Sequence, residues 1–228
     1  MATVTEIKAA AWAEMAASDS ADCSLRGVAR RLGMAPSALY RYFASRDELL
    51  SAMIIDAFDD LTATLAEARE EAHRRVPADQ PAEMFVLVAG RYRAWALQDA
   101  HRYRLIFGNP VGGYVGTDDT TAASVRSSQV LLELMSDLVG ARALDVDRLE
   151  TGLSVGAEDG FAAWGEQLPR PLPPVALALA IRCYAALHGA IQLEVNGHLP
   201  PPLRGLEDAF TDAMRAVVTS GLRPAAVG

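Results

Sequence analysis

No part of this sequence is so closely punctuated as Ser24 to Leu50, where three helix starts and one forced turn fall within 27 residues. Ser24 can cap a helix in which Leu25, Val28, Ala29 and Leu32 recur at i, i+3, i+4 and i+7, giving one apolar face. Gly33 ends that helix, because the residue just past a helix C-terminus often adopts the left-handed conformation that only glycine accepts cheaply. Pro36 suits the first position of a next helix, with Leu39 and Phe43 four apart and facing inward. Ser45, Arg46, Asp47 and Glu48 form a capping box that opens a long helix, its seam marked by Leu50, Ile54, Ala57, Leu61, Leu65 and Ala68.

Two short helices about a glycine turn make a helix-turn-helix pattern. The rest of the chain repeats the 3.6-residue period and offers no alternating strand run with hairpin signals. A first helix is expected from about Val4 to Ala17, with Ile7, Ala11 and Met15 inward. Later helices are expected at about 82–98, 100–107, 118–140, 147–167, 173–196 and 203–220. The fold class is therefore all-α: an N-terminal three-helix domain (1–46), a connecting fourth helix and linker (47–80), and a C-terminal helical domain (81–228). With 228 residues, 51% of them hydrophobic, such a chain can bury a real core. The apolar stretch 171–195 is long enough for a membrane span but carries Arg182, His188, Gln192 and Glu194, so it reads as a central helix touching several neighbours.

Charge is unevenly placed. The net charge is -8, yet the window from Cys23 to Arg46 contains no acid and five arginines, leaving -13 for everything outside it. A positive patch on an acidic protein fits a phosphate backbone as partner. On the outer face of the third helix, Ser37, Ala38, Tyr40, Arg41 and Tyr42 can reach base edges or phosphates. Arg41 suits both a bidentate contact to guanine and a phosphate oxygen, and the amides near Ala35, Pro36, Ser37 and Ala38 can hold an anion. The plainer alternative is a solvated three-helix subdomain whose arginines serve solubility.

The stretch LRGVARRLGMAPSALYRYFASRDELLSAM (25–53) closely resembles the DNA-binding domain of TetR family transcriptional regulators. The resemblance implies that Arg26 touches DNA from helix two, that Tyr40 grips a phosphate, and that Arg46 is the basic residue at the start of helix four. Two departures stand out: Lys8 is the sole basic residue before helix two, and Ala35 replaces the usual Ser or Thr cap of helix three. Further along, YAALHGAIQLEVNG (184–197) and YRAWALQDAHRYRLIFG (92–108) resemble the C-terminal domain of a subgroup carrying a Leu-His-Gly motif. That resemblance implies a homodimer with a cavity in each protomer for a small, largely apolar effector.

Gly152, Gly156 and Gly160 lie four apart, and each costs about 1 kcal/mol against alanine inside a helix, so a close helix contact is expected there, across a dimer axis or within the core. Leu187 and Ile191 are further dimer candidates. Trp95, Tyr103, Phe107, Met135, Phe161, Trp164 and His188 are candidates for lining a pocket, with plain core packing as the default for each aromatic. Arg91, Arg93, Arg102 and Arg104 read as a wet helix face, or else as a junction with the DNA-binding domain. Cys23 and Cys183 read as buried thiols, which suits a cytoplasmic protein. Phosphate-loop, dinucleotide, nucleophile-elbow and zinc-helix motifs are missing, and His73, His101, His188 and His198 are scattered, so no cofactor, metal or catalysis is expected. The sequence thus reads as a ligand-responsive repressor that binds a pseudo-palindromic operator in double-stranded DNA as a homodimer. The rival is a helical small-molecule-binding protein or enzyme without DNA readout.

Overall fold

The computed structural model describes residues 3–18, 23–150, 153–200 and 207–223. Among them run eleven helices: α1 (Val4–Ser18), α2 (Leu25–Arg31), α3 (Pro36–Leu39), α4 (Arg46–Arg75), α5 (Pro81–Gln98), α6 (Ala100–Phe107), α7 (Asp118–Gly140), α8 (Val146–Glu150), α9 (Val155–Glu166), α10 (Pro174–Val195) and α11 (Glu207–Thr219). The strand-like pairing in the described residues is a single antiparallel bridge, Leu144 to Leu222. Compactness groups the chain into two units, each discontinuous in sequence: unit 1 is Met1–Thr62 with Ala96–Ser127, and unit 2 is Ala63–Trp95 with Ser128–Gly228.

In unit 1 the local signals act as expected. The Gly27 amide donates to Ser24 Oγ at 3.0 Å, capping α2. At the other end Gly33 is left-handed (φ 64°); its amide reaches the Arg30 carbonyl at 3.2 Å and the Met34 amide reaches the Ala29 carbonyl at 2.9 Å. Those two bonds close a Schellman motif and satisfy carbonyls the helix leaves open. The capping box of α4 forms with one variation. The Glu48 amide donates to Ser45 Oγ at 3.1 Å, while the Glu48 carboxylate accepts from the Ala44 amide at 2.6 Å, one residue before the cap. Ile7, Ala11, Met15, Val28, Ala29, Leu39, Leu49, Leu50 and Met53 are fully buried in one core, which Ile54, Phe58, Leu105 and Ala123 extend into α4, α6 and α7.

Unit 2 is built on α10. Val175 to Ala180, Cys183, Leu187, Ile191 and Val195 are buried, and α8, α9 and α11 pack against the helix. This helix is long and apolar enough to cross a membrane by composition, but half of its most apolar window is enclosed by protein, as expected of a core helix. Burial pushes the Cys183 thiol up to about 12, and Cys23 is buried too. Arg93 on α5 clasps Glu194 on α10 with two bonds of 2.6 and 2.7 Å and lies 5.5 Å over the Phe210 ring of α11. The single helix expected at 147–167 is instead two, α8 and α9, with Leu153 and Ser154 between them outside helix. Ser154 takes the extended conformation of an N-cap (ψ 153°) and starts α9 afresh.

Candidate nucleic-acid interface

The core of unit 1 holds α3 by Leu39, which is fully buried, and by Phe43 beyond it. Ala35 sits at the N-cap with no side-chain hydrogen bond, and Pro36 follows at the first helical position. The regular α-helix ends at Leu39, but the turn continues, with the Tyr42 and Phe43 amides both donating to the Leu39 carbonyl at 2.9 and 3.1 Å. Ala35, Pro36, Ser37, Tyr40 and Arg41 face solvent and Ala38 is half-buried; Tyr40 is 51% exposed. Tyr42 differs from its expected place on the outer face, since it is half-buried and packs against the unit 1 core. Its helical phase, three residues after Leu39, carries it toward the same side.

The five arginines fall into two groups. Arg26 and Arg41 are exposed and make no ion pair among the described residues. Arg31 donates to the Glu14 carboxylate at 3.1 and 3.3 Å, with Arg30 3.6 Å from the same group. Arg46 meets Asp47 at 3.2 Å and the Gly112 carbonyl at 3.4 Å. Lys8 is likewise occupied, 2.6 Å from Asp56. Gly27 explains how Glu14 fits: a Cβ at that position would fall on the Glu14 carboxylate. Of these five arginines, Arg26 and Arg41 are the two without an ion pair among the described residues, and Ser37 and Tyr40 are exposed as they are.

This scaffold matches two family models. Residues 7–53 match the model for bacterial regulatory proteins of the tetR family, and residues 85–217 match the tetracyclin repressor-like C-terminal domain. The chain belongs to the TetR family. Curated relatives agree: the HTH-type transcriptional regulators Mb1846 of Mycobacterium bovis and Rv1816 of Mycobacterium tuberculosis are each 42% identical over 103 residues, which is 45% of this chain and 42% of theirs. The match therefore spans less than half the length of these relatives. Among solved structures, the regulatory protein SCO4313 superposes with a TM-score of 0.75 at 29% identity over 95% of both chains. The TetR family transcriptional regulator PfmR of Thermus thermophilus shares the fold, at a TM-score of 0.59 and 17% identity over 96% of this chain and 99% of that one. The chain thus joins the family's N-terminal helix-turn-helix domain to its C-terminal domain.

The other expected site residues of this TetR-family chain belong some to unit 1 and some to unit 2. Tyr103 and Phe107 stack at 5.3 Å within unit 1, Phe107 also meeting Phe58 edge-on at 5.7 Å. Trp95, Met135, Phe161, Trp164 and His188 belong to unit 2. There Trp95 and Met135 are closed in the core, Phe161 is half-buried and Trp164 is exposed. His188 Nε2 lies 3.1 Å from Tyr92 Oη, with the Tyr184 ring 4.2 Å away. Burial pulls its pKa down to about 4, so the ring is neutral at pH 7.

Of the dimer candidates, Leu187 and Ile191 are buried within unit 2. The large apolar residues left exposed are Ile181, Tyr184 and Leu193 on α10 and Val155 and Trp164 on α9. Gly152 lies outside the described residues. At Gly156 and Gly160 a Cβ would meet nothing within 4 Å, so no other helix among the described residues approaches them closely. The arginines also depart from a uniform wet face. Arg91 pairs with Glu71 at 2.6 Å, while Arg93 is half-buried against Glu194. Arg102 sits 2.9 Å from Asp60 and 5.6 Å over Trp12 of α1, which makes it part of the unit that carries the helix-turn-helix.

Proposed function

We propose that this chain is a cytoplasmic, ligand-responsive repressor that binds a pseudo-palindromic operator as a homodimer, without cofactor or catalytic activity. In this reading residues 1–46 read DNA, 47–80 connect, and 81–228 carry ligand binding and dimerisation. The observation that carries it is the outer surface of α2 and α3, where Arg26, Ser37, Tyr40 and Arg41 stand exposed over a buried core and neither arginine has an ion pair among the described residues. Two such surfaces related by a two-fold axis fit half-sites about one helical turn apart, or a multiple of it. A small molecule releases the operator only by binding better to the state whose half-site spacing is wrong. The exposed apolar side chains of α9 and α10, with Val155 76% and Ile181 44% exposed, support self-association, since surface of this kind is what a second copy can cover.

Selection from random duplexes followed by gel shift tests the reading. Binding to a pseudo-palindrome is expected, and Arg41→Ala should weaken it with the fold intact. Loss of about 1–3 kcal/mol confined to one base position identifies a guanine contact; a uniform loss with the salt slope reduced by about 1 identifies a phosphate. No shift with any duplex removes the proposal. Sedimentation of Tyr184→Asp should show monomer where the parent shows dimer.

A further inference from the structure

Arg46 opens α4, directly after the helix-turn-helix, and is met there by a segment 66 residues further along the chain. Between α6 and α7, Val111 to Tyr114 form a tight turn, closed by the Tyr114 amide donating to the Val111 carbonyl at 3.1 Å. Gly113 takes the third position with φ 75°, a left-handed conformation that costs glycine little and that a β-branched residue almost never adopts. The carbonyl in the middle of such a turn, that of Gly112, finds no partner within it. Arg46 supplies one: its two terminal nitrogens both lie 3.4 Å from the Gly112 oxygen.

Two anchors keep the turn in place. Val111 and Tyr114 pack against the unit 1 core, and Tyr114 Oη lies 3.0 Å from Ser51 Oγ, further along α4. We infer that the 111–114 turn is a positioning element for DNA binding, holding the Arg46 guanidinium ready for a backbone phosphate. This role rests on the function proposed above and extends it to a segment outside the helix-turn-helix.

The neutrality of the Gly112 carbonyl matters. It orients the guanidinium and leaves its positive charge intact, whereas Glu14 meets Arg30 and Arg31 with a full negative charge. Arg46 does touch one acid, Asp47 at 3.2 Å, but that carboxylate is 51% exposed, and an ion pair so open to water is worth little. The Arg46 side chain itself is 27% exposed, enclosed enough to keep one geometry and open enough to meet a partner. A guanidinium held in advance loses less freedom when a phosphate oxygen arrives than one that swings in solvent.

Gly113→Val, Gly113→Asn and Arg46→Ala test the role. A Cβ at Gly113 meets nothing within 4 Å, so both substitutions there act through the backbone, valine opposing the left-handed turn and asparagine accepting it. Without DNA, NMR relaxation of the Arg46 Nε–H group should show it ordered in the parent and in Gly113→Asn, and mobile in Gly113→Val. Equal order in all three overturns the inference. With a duplex of random sequence, Gly113→Val should bind about fivefold more weakly, the cost of ordering one long side chain, and Gly113→Asn should match the parent. In an Arg46→Ala background Gly113→Val should lose nothing further; a full second loss there means that the turn acts through another group and overturns the inference. A parent that binds no duplex although Arg46 is ordered sinks the function proposed above and the phosphate role with it. A parent that binds, with Gly113→Val its equal, overturns the role of the turn alone.

Discussion

Arg41 in unit 1 and Arg93 in unit 2 carry the same guanidinium and meet opposite fates. Arg41 projects into solvent with no acid beside it, whereas Arg93 is 12% exposed, doubly bonded to Glu194 and stacked over Phe210. The hydrogen bonds it donates to Glu194 hold the Arg93 charge more firmly than usual. A cation left unpaired at a surface is available to a partner; one that is paired and enclosed is part of the frame. What distinguishes them is the company of carboxylates, and neither arginine's own neighbours in sequence reveal it.

The contrast is broken most sharply by removing the partner. Glu194→Ala leaves the half-buried Arg93 without its partner and should cost about 1.5–3 kcal/mol of stability in denaturant unfolding, whereas Arg41→Ala should stay within about 0.5 kcal/mol. Equal effects would erase the distinction. The enclosed part of unit 2 has a second signature in His188. Because its folded pKa, about 4, lies below the ordinary 6.5, the unfolded chain binds the proton first. Stability is therefore complete above about pH 6.5 and falls as the pH drops toward 4, by roughly 3 kcal/mol for this group at full extent. His188→Phe should flatten that part of the pH profile, and an unchanged profile would show that the ring is more hydrated than its packing indicates.

On the DNA side the sharpening variant is Glu14→Gln, which frees Arg30 and Arg31. Binding to non-specific duplex should tighten and the slope of log affinity against log salt should steepen by about 1–2, with little change in melting temperature because these pairs are partly exposed. The smallest effect is expected at Arg142, which ends α7 in a left-handed conformation (φ 53°). Arg142→Gly should raise stability by about 1 kcal/mol by relieving that strain.

Much of the helix-turn-helix could be read from sequence because its determinants are local. Ser24, Gly33, Pro36 and the Ser45–Glu48 box act over three or four residues, and each occupies the role its chemistry suggests. The pairing of charges was hidden, since Glu14 lies 17 residues from Arg31 and Glu194 lies 101 from Arg93. The phase of α10 was hidden too. A helix apolar on nearly every side does not say which apolar side meets its own core, and only packing separates Leu187 from Tyr184. The break before α9 left a trace in Ser154, a good helix cap two residues after Gly152, but the glycine spacing suggested continuity.

The hydrogen that stands in place of a side chain at Gly27 has a further implication. The nearest atoms a methyl group there would meet are the carboxylate end of Glu14 and the Ser24 hydroxyl, while α2 itself would welcome alanine. In the function proposed above, one carbon atom at this position would loosen the hold of Glu14 on Arg30 and Arg31 and so retune the background attraction to polyanions.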